Sequence, residues 1–211
     1  MRLTETIERI AEKIAPGRSP LFTEVHVIKT IEIIQAQEFI GRGKLSNMLG
    51  LGEGTTRTLV RHLKRNGLIK ISRTGIRLSE DGVKLYSILR DKMSKEIEIP
   101  PSSLTLGPFN VAILVKNAGS SVKSGLEQRD LAIMTGAYGA TTLVYTRNKL
   151  MMPGVTKDIF EKIPSIHATL MSELNPQEND VIIVGSAESR NLAEIGAKIA
   201  AFQLIRDITP K

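Results

Sequence analysis

The sequence predicts an α+β protein of two domains, and three observations predict it. Residues up to about Glu98 read as helices interrupted by one hairpin. Residues from Phe109 onward alternate buried-strand runs with helical runs, the pattern of a mixed α/β sandwich. Between them, Ile99-Pro100-Pro101-Ser102-Ser103 sets two prolines and two serines after a charged helix, a linker composition. The first domain is therefore expected at 1–98, a linker at 99–108 and the second domain at 109–211. A chain of 211 residues lets both bury a core.

Leu3, Ile7, Ile10 and Ile14 recur at helical spacing, so residues 3–14 should form a short amphipathic helix ended by Pro16-Gly17. Its stripe suits packing on its own domain better than free helix pairing, because two heptads are too few for a stable isolated coil. Ser19-Pro20 and Thr23-Glu24 open a second helix running to about Phe39, with Val27, Ile28, Ile31 and Ile34 inward and His26 in its first turn. Residues 43–50 make a third helix, and Gly50, Gly52 and Gly54 punctuate the turn after it. In the next helix, 54–66, Thr56, Leu59, Val60 and Leu63 turn inward. That leaves Thr55, Arg57, Thr58, Arg61, His62, Lys64 and Arg65 outward. Asn66-Gly67 closes it, since glycine takes a left-handed cap at little steric cost. Leu68–Ser72 and Ile76–Ser79, joined by Arg73-Thr74-Gly75, have hairpin spacing. Ser79-Glu80-Asp81 then caps a longer helix to about Glu98, in which Leu85, Leu89 and Met93 step by four.

Charge is segregated along the chain. The formal net charge is +7, yet residues 101–211 hold 11 basic and 10 acidic side chains. From Arg42 to Arg77 there are nine basic residues and a single acid, Glu53. A solvated surface mixes both signs, whereas clustered positive charge on one module is the electrostatic footprint of nucleic-acid binding. The absence of Cys excludes disulfides and thiolate metal sites. The three histidines, His26, His62 and His167, have no partners at ligand spacing, so no metal site and no cofactor is expected. No apolar run reaches a membrane span, and MRLTETIERIAEK lacks the apolar centre of a signal peptide, so a cytoplasmic protein is expected.

The order helix, turn, helix, hairpin, helix carries two local patterns: LVRHLKRNGLIKI from Leu59 to Ile71, and IRLSEDGVKL from Ile76 to Leu85. In this order and spacing the stretch resembles the winged helix-turn-helix family. The resemblance implies that helix 54–66 enters the major groove of double-stranded DNA. Thr55, Arg57, Thr58 and Arg61, near its N-terminus, are then the base-reading candidates, arginine suiting guanine and threonine a thymine methyl. Lys44, Lys64 and Arg65 would hold phosphates, and Arg73 and Arg77 in the wing would reach backbone or minor groove. In regulators of this family the helix after the wing often packs on a second subunit, which implies a homodimer.

In the second half, Asn117–Gly125 and Gly185–Ser189 each follow a strand run and lead into a helix. Small residues at such turns leave backbone N–H groups free for an anion. The ligand candidates are Ser120, Ser121, Lys123, Glu127, Arg129, Asp130, Thr141, Thr142, Gly185 and Ser186, for a small anionic metabolite. Neither loop matches a phosphate-loop or dinucleotide fingerprint. Glu127 and Asp130 are of the right type for acid–base work, but no nucleophile or metal cluster accompanies them, so no catalytic residue is assigned. An enzyme acting on a phosphorylated or nucleotide substrate, with the winged helix as an accessory, is the alternative. GLEQRD (Gly125–Asp130), GATTL (Gly139–Leu143) and VIIVGSAES (Val181–Ser189) extend the resemblance to nearly the whole chain. It resembles uncharacterised archaeal proteins that join an N-terminal winged helix to a C-terminal domain of unknown function. That implies a DNA-binding transcriptional regulator with a sensing domain, and names no ligand.

Overall fold

The computed structural model describes residues 2–12 and 21–209. The expected stripe member Ile14, the helix end at Pro16-Gly17 and the opening at Ser19-Pro20 lie outside the described residues. The chain forms two compact units, Met1–Leu89 and Arg90–Lys211.

In the first unit, α1 (Leu3–Ala11) buries Leu3, Ile7 and Ile10 and packs on α2 (Glu24–Gln37) and α4 (Glu53–Arg65). α2 buries Val27, Ile28, Ile31 and Ile34, as their spacing requires. α3 (Arg42–Leu49) ends at Gly50, whose φ of 68° is the left-handed cap. The chain then turns directly into α4, which buries Thr56, Leu59, Val60 and Leu63. Gly67 follows α4 at φ 73°, and the Leu68 N–H returns to the Leu63 carbonyl. β1 (Ile69–Ser72) and β2 (Gly75–Leu78) then form an antiparallel hairpin.

The hairpin is tighter than its sequence implies. Ser72 pairs with Gly75, so only Arg73 and Thr74 lie in the turn. Gly75 takes φ 132°, and a Cβ there would stand 2.9 Å from the Ile40 carbonyl oxygen. The close approach exists because Ile40 pairs with Ile76 through two backbone hydrogen bonds of 2.9 and 3.0 Å, adding a third, single-residue strand to the hairpin.

α5 (Glu80–Lys92) starts at Ser79, whose Oγ accepts the Gly82 N–H at 3.1 Å. Leu85, Leu89 and Met93 are buried within the chain, so they are not a free stripe awaiting a second subunit. α5 also stops at Lys92, short of the expected Glu98. Residues after it satisfy their backbone groups on a strand instead: Met93 bridges to Val115, and β3 (Ile97–Glu98) pairs with β4 (Phe109–Val115). Ile99 and Leu104 are buried in the core of the second unit, so the stretch expected as a linker is built into that unit.

The second unit adds α6 (Leu126–Met134), β5 (Gly139–Thr146), β6 (Lys149–Met151), α7 (Pro164–Leu174), β7 (Val181–Ala187) and α8 (Arg190–Ile208). The sheet order is β3-β4-β7-β5-β6, and every neighbouring pair is antiparallel. α6 and α8 pack on one face. α7 covers the other, where its Ile166, Leu170 and Leu174, one helical turn apart, pack against Ala112, Leu114, Leu143, Ile182 and Val184. α7 begins at Pro164, which occupies its first turn, where a missing N–H costs nothing. The expected turn after β7 also moves. The strand continues through Gly185 and Ser186, and Gly185 is where α8 comes closest to the sheet: a Cβ there would lie 2.2 Å from the Ala193 carbonyl oxygen.

Candidate nucleic-acid interface and ligand sites

α4 presents its basic side chains as one stripe. Arg57, Arg61, Lys64 and Arg65 are all exposed, and the stripe runs about 12 Å at the helical rise. Thr55 and Thr58 are half-buried beside it, and the Thr58 hydroxyl donates to the Gly54 carbonyl at 3.1 Å. Arg42 and Arg57 line a cleft of about 140 Å³ with Gly43 and Glu53. Glu53 belongs to the first turn of α4, where the helix dipole favours an acid. Lys44 is exposed on α3 and donates to Gln37 Oε1 at 2.6 Å. Among the described residues, none of Arg57, Arg61, Lys64, Arg65, Arg73 and Arg77 forms an ion pair. Their charge is therefore not neutralised by the described residues.

The hairpin adds two exposed cations face to face. Its register sets Lys70 directly opposite Arg77, with Arg73 at the tip. Like charges opposed across an antiparallel pair are destabilising, so the fold holds a repulsion that a bound polyanion would relieve. Neither Lys70 nor Arg42 was among the expected contacts. The signal for Lys70 is the hairpin register, which a two-residue turn reveals and a three-residue turn hides.

His62 corrects the outward set. It is buried, its Nδ1–H donates to the Ile10 carbonyl at 2.8 Å, and its ring meets Phe22 edge-on at 5.4 Å. The helix face it occupies is covered by α1, which α4's own periodicity does not show. His26 is a helix-start residue: its Nδ1 accepts the Thr23 N–H at 3.1 Å. Burial, then the charge of Lys29, holds its pKa below the ordinary value, so the neutral ring is favoured.

The ten ligand candidates of the second unit are not brought together. β4 and β7 are antiparallel, with Val115 opposite Val181 and Phe109 opposite Ala187. The loop after β4 and the residues ending β7 therefore lie at opposite ends of the sheet, about 20 Å apart at strand rise. Ser120 and Ser121 sit in a single 3₁₀ turn at one end, while Gly185 and Ser186 are buried inside β7, where Ser186 Oγ donates to Asn110 Oδ1 at 2.7 Å. Lys123 and Glu127 are exposed, 3.9 Å apart. Arg129 donates to Asp130 Oδ1 through Nε and Nη2 at 2.9 and 2.8 Å, both side chains standing exposed on α6. Thr141 donates to the Leu104 carbonyl at 2.7 Å. Thr142 is buried against Gly125, and its hydroxyl lacks a hydrogen-bond partner among the described residues.

A cavity lies elsewhere. β6, the segment after it and the start of α7 border an open cleft of about 510 Å³, lined by Lys149, Lys157, Asp158, Phe160, Glu161 and His167 among others. The His167 ring leans on Phe160 with centroids 4.8 Å apart and the ring planes tilted by 60°, giving one wall an aromatic lining. Asp158 Oδ1 accepts the Phe160 N–H at 2.9 Å and fixes that wall. The segment between β6 and α7 runs as turns and forms no helix.

Comparison with known proteins follows the same division. A family model of the CggR N-terminal DNA-binding domain matches residues 25–93. A model described as a domain of unknown function, DUF4443, matches residues 106–204. The chain carries an N-terminal DNA-binding domain and a C-terminal DUF4443 domain. The DNA-binding match runs from α2 through α5 and contains every expected DNA contact. The central glycolytic genes regulator of Bacillus subtilis (strain 168) is 40% identical over 63 residues, which cover 30% of this chain and 18% of that protein. A hypothetical protein from Pyrococcus horikoshii OT3 shares the fold over 89% of this chain and 95% of its own, at TM-score 0.72 and 28% identity. Among the described residues, no helix is long and apolar enough to cross a membrane.

Proposed function

We propose that this protein is a transcription regulator whose DNA-binding domain is a winged helix-turn-helix, with α4 as recognition helix and β1–β2 as the wing. The observation that carries it is the un-neutralised basic stripe of α4 continued by Lys70, Arg73 and Arg77 on the hairpin. The CggR-type match and the name of the Bacillus relative support the same reading. Thr55, Arg57, Thr58 and Arg61 stand where such a helix reads base edges, and Lys44, Lys64 and Arg65 where phosphates pass. Fluorescence anisotropy with the full chain and a set of labelled genomic duplexes tests it. The Arg57→Ala, Arg61→Ala double variant should weaken specific binding by about thirtyfold or more, at about 1–3 kcal/mol per base-reading arginine, with unchanged circular dichroism. Equal affinity of the variant and the parent would dismiss this docking.

The DUF4443 domain is read as the sensor of a small anionic metabolite, and two copies of the chain as the acting species. The cavity beside β6 supports a ligand better than the start of α6, because it is a concave space in which Lys149 and Lys157 stand with Asp158, Glu161 and His167, a mixed polar lining that can hold an anion through the lysines. A ligand bound there raises the unfolding midpoint by mass action. In a thermal-shift screen of organic acids and phosphate esters, Lys149→Glu with Lys157→Glu should abolish any such rise. A hit that survives both substitutions would place sensing elsewhere.

A further inference from the structure

We propose that the outer face of α6, with the strand ends beside it, is the contact surface between two copies of this chain. The inference deepens the dimer part of the reading above and does not depend on DNA binding. Among the described residues, half of the exposed large apolar side chains gather on this one side of the second unit. Met134 is 82% exposed and Leu106 is 61% exposed, and Phe109, Leu126, Ile133 and Tyr138 are each about half exposed. Leu106 and Tyr138 come together over the glycines at 107 and 139. The Tyr138 ring lies 2.9 Å from where a Gly107 Cβ would be, and Leu106 lies 3.0 Å from the same position on Gly139. Ile133 and Met134 end α6 just before the chain returns at Tyr138, while Phe109 begins β4 opposite Ala187 at the same end of the sheet. Leu126 extends the face to the start of α6.

The partner is a second copy because the charges on this face complement themselves. Lys123, Glu127, Arg129 and Asp130 are exposed on or beside α6, two of each sign, and Arg129 reaches within 3.4 Å of the Gly139 Cβ position at the apolar edge. In one chain Arg129 and Asp130 bond to each other. About a two-fold axis each Arg129 can instead meet the Asp130 of the other copy, which is the isologous closure of a symmetric dimer. With two charges of each sign, this face has no excess of positive charge to draw a polyanion. The apolar side chains expose on the order of 600 Å², against the roughly 800 Å² per partner of a standard interface, so a modest rim completes a stable contact. An apolar centre with a paired polar rim is also the usual anatomy of such surfaces.

Sedimentation equilibrium on the full chain tests this. The expected mass is twice 23.2 kDa. Met134→Glu should raise the dimer dissociation constant about a hundredfold or more, as for a side chain at the centre of an interface. It should leave the far-ultraviolet spectrum intact, since that side chain is exposed. Asp130→Arg sets cations against cations and should also dissociate the dimer. Adding Arg129→Asp to it restores opposite charges about the axis and should restore the dimer. A parent chain that is monomeric at about 100 μM would overturn the proposal. So would a dimer that survives both single changes, or a double swap that fails to recover one. Anisotropy on a single half-site, run on the Met134→Glu variant, keeps the two readings apart: binding there upholds the DNA reading whatever the mass shows.

Discussion

Lys70 and Arg77 stand opposite each other on the hairpin with no acid paired to them among the described residues. A protein selected only for stability would have placed a carboxylate at one of the two positions. The arrangement predicts effects of opposite sign. Arg77→Ala should raise the unfolding midpoint slightly in the absence of DNA, by about a few tenths of a kcal/mol, because it removes a cross-strand repulsion. The same change should weaken DNA binding and reduce the salt slope by about one counterion. Differential scanning calorimetry and anisotropy on one preparation check both. A variant less stable than the parent, with affinity unchanged, would show that Arg77 packs the hairpin and does not bind. Nearby, His62 shows how a polar residue inside a basic helix can serve packing: its hydrogen bond to Ile10 ties α4 to α1.

At the scale of elements, the start of α2 carries a pH dependence. The neutral His26 ring accepts the Thr23 N–H, and burial followed by the Lys29 charge lowers its pKa from 6.5. The unfolded chain therefore binds a proton at higher pH than the folded one. This contribution to stability is complete above about pH 6.5 and is lost as pH falls through the folded pKa. Chemical unfolding at about pH 7.5 and about pH 5, on either side of the histidine range, should show the loss. His26→Gln should flatten it, because glutamine at the same position can accept the Thr23 N–H without titrating. If the variant loses stability between the two pH values as steeply as the parent, the pH dependence belongs to another group. The contact of α8 with β7 is set by the same kind of local fit, since a glycine at 185 lets the two backbones approach.

At the scale of the whole molecule, the excess positive charge is concentrated in one unit. The basic side chains between Arg42 and Arg77 belong to the first unit, and the exposed apolar face belongs to the second. Binding dominated by the first unit should therefore follow counterion release. If about six or more phosphates are neutralised, affinity for duplex DNA should fall by about a thousandfold or more between roughly 50 and 200 mM salt. Anisotropy over that series measures the slope, and a shallow slope would mean that the stripe does not lie along the duplex.

Much of the first unit was legible in the sequence. Helical spacing located the buried faces of α1, α2 and α4, and glycines at 50 and 67 marked the caps, because both signals are local. The concentration of basic residues was equally plain, since charge counts survive folding. The second unit was legible only as alternating strands and helices. Strand direction is decided by pairing partners far apart in the chain, and the antiparallel register of β4 and β7 puts the two candidate loops at opposite ends of the sheet. The residues after α5 gave up helix and linker for β3 because β4 offered their backbone groups partners. Composition and periodicity by themselves determined a basic helical module followed by an α+β module. The burial of His62, the facing of Lys70 and Arg77, and the clustering of Met134 with Leu106 and Tyr138 were decided by tertiary structure, because each depends on contacts between segments that no local pattern encodes.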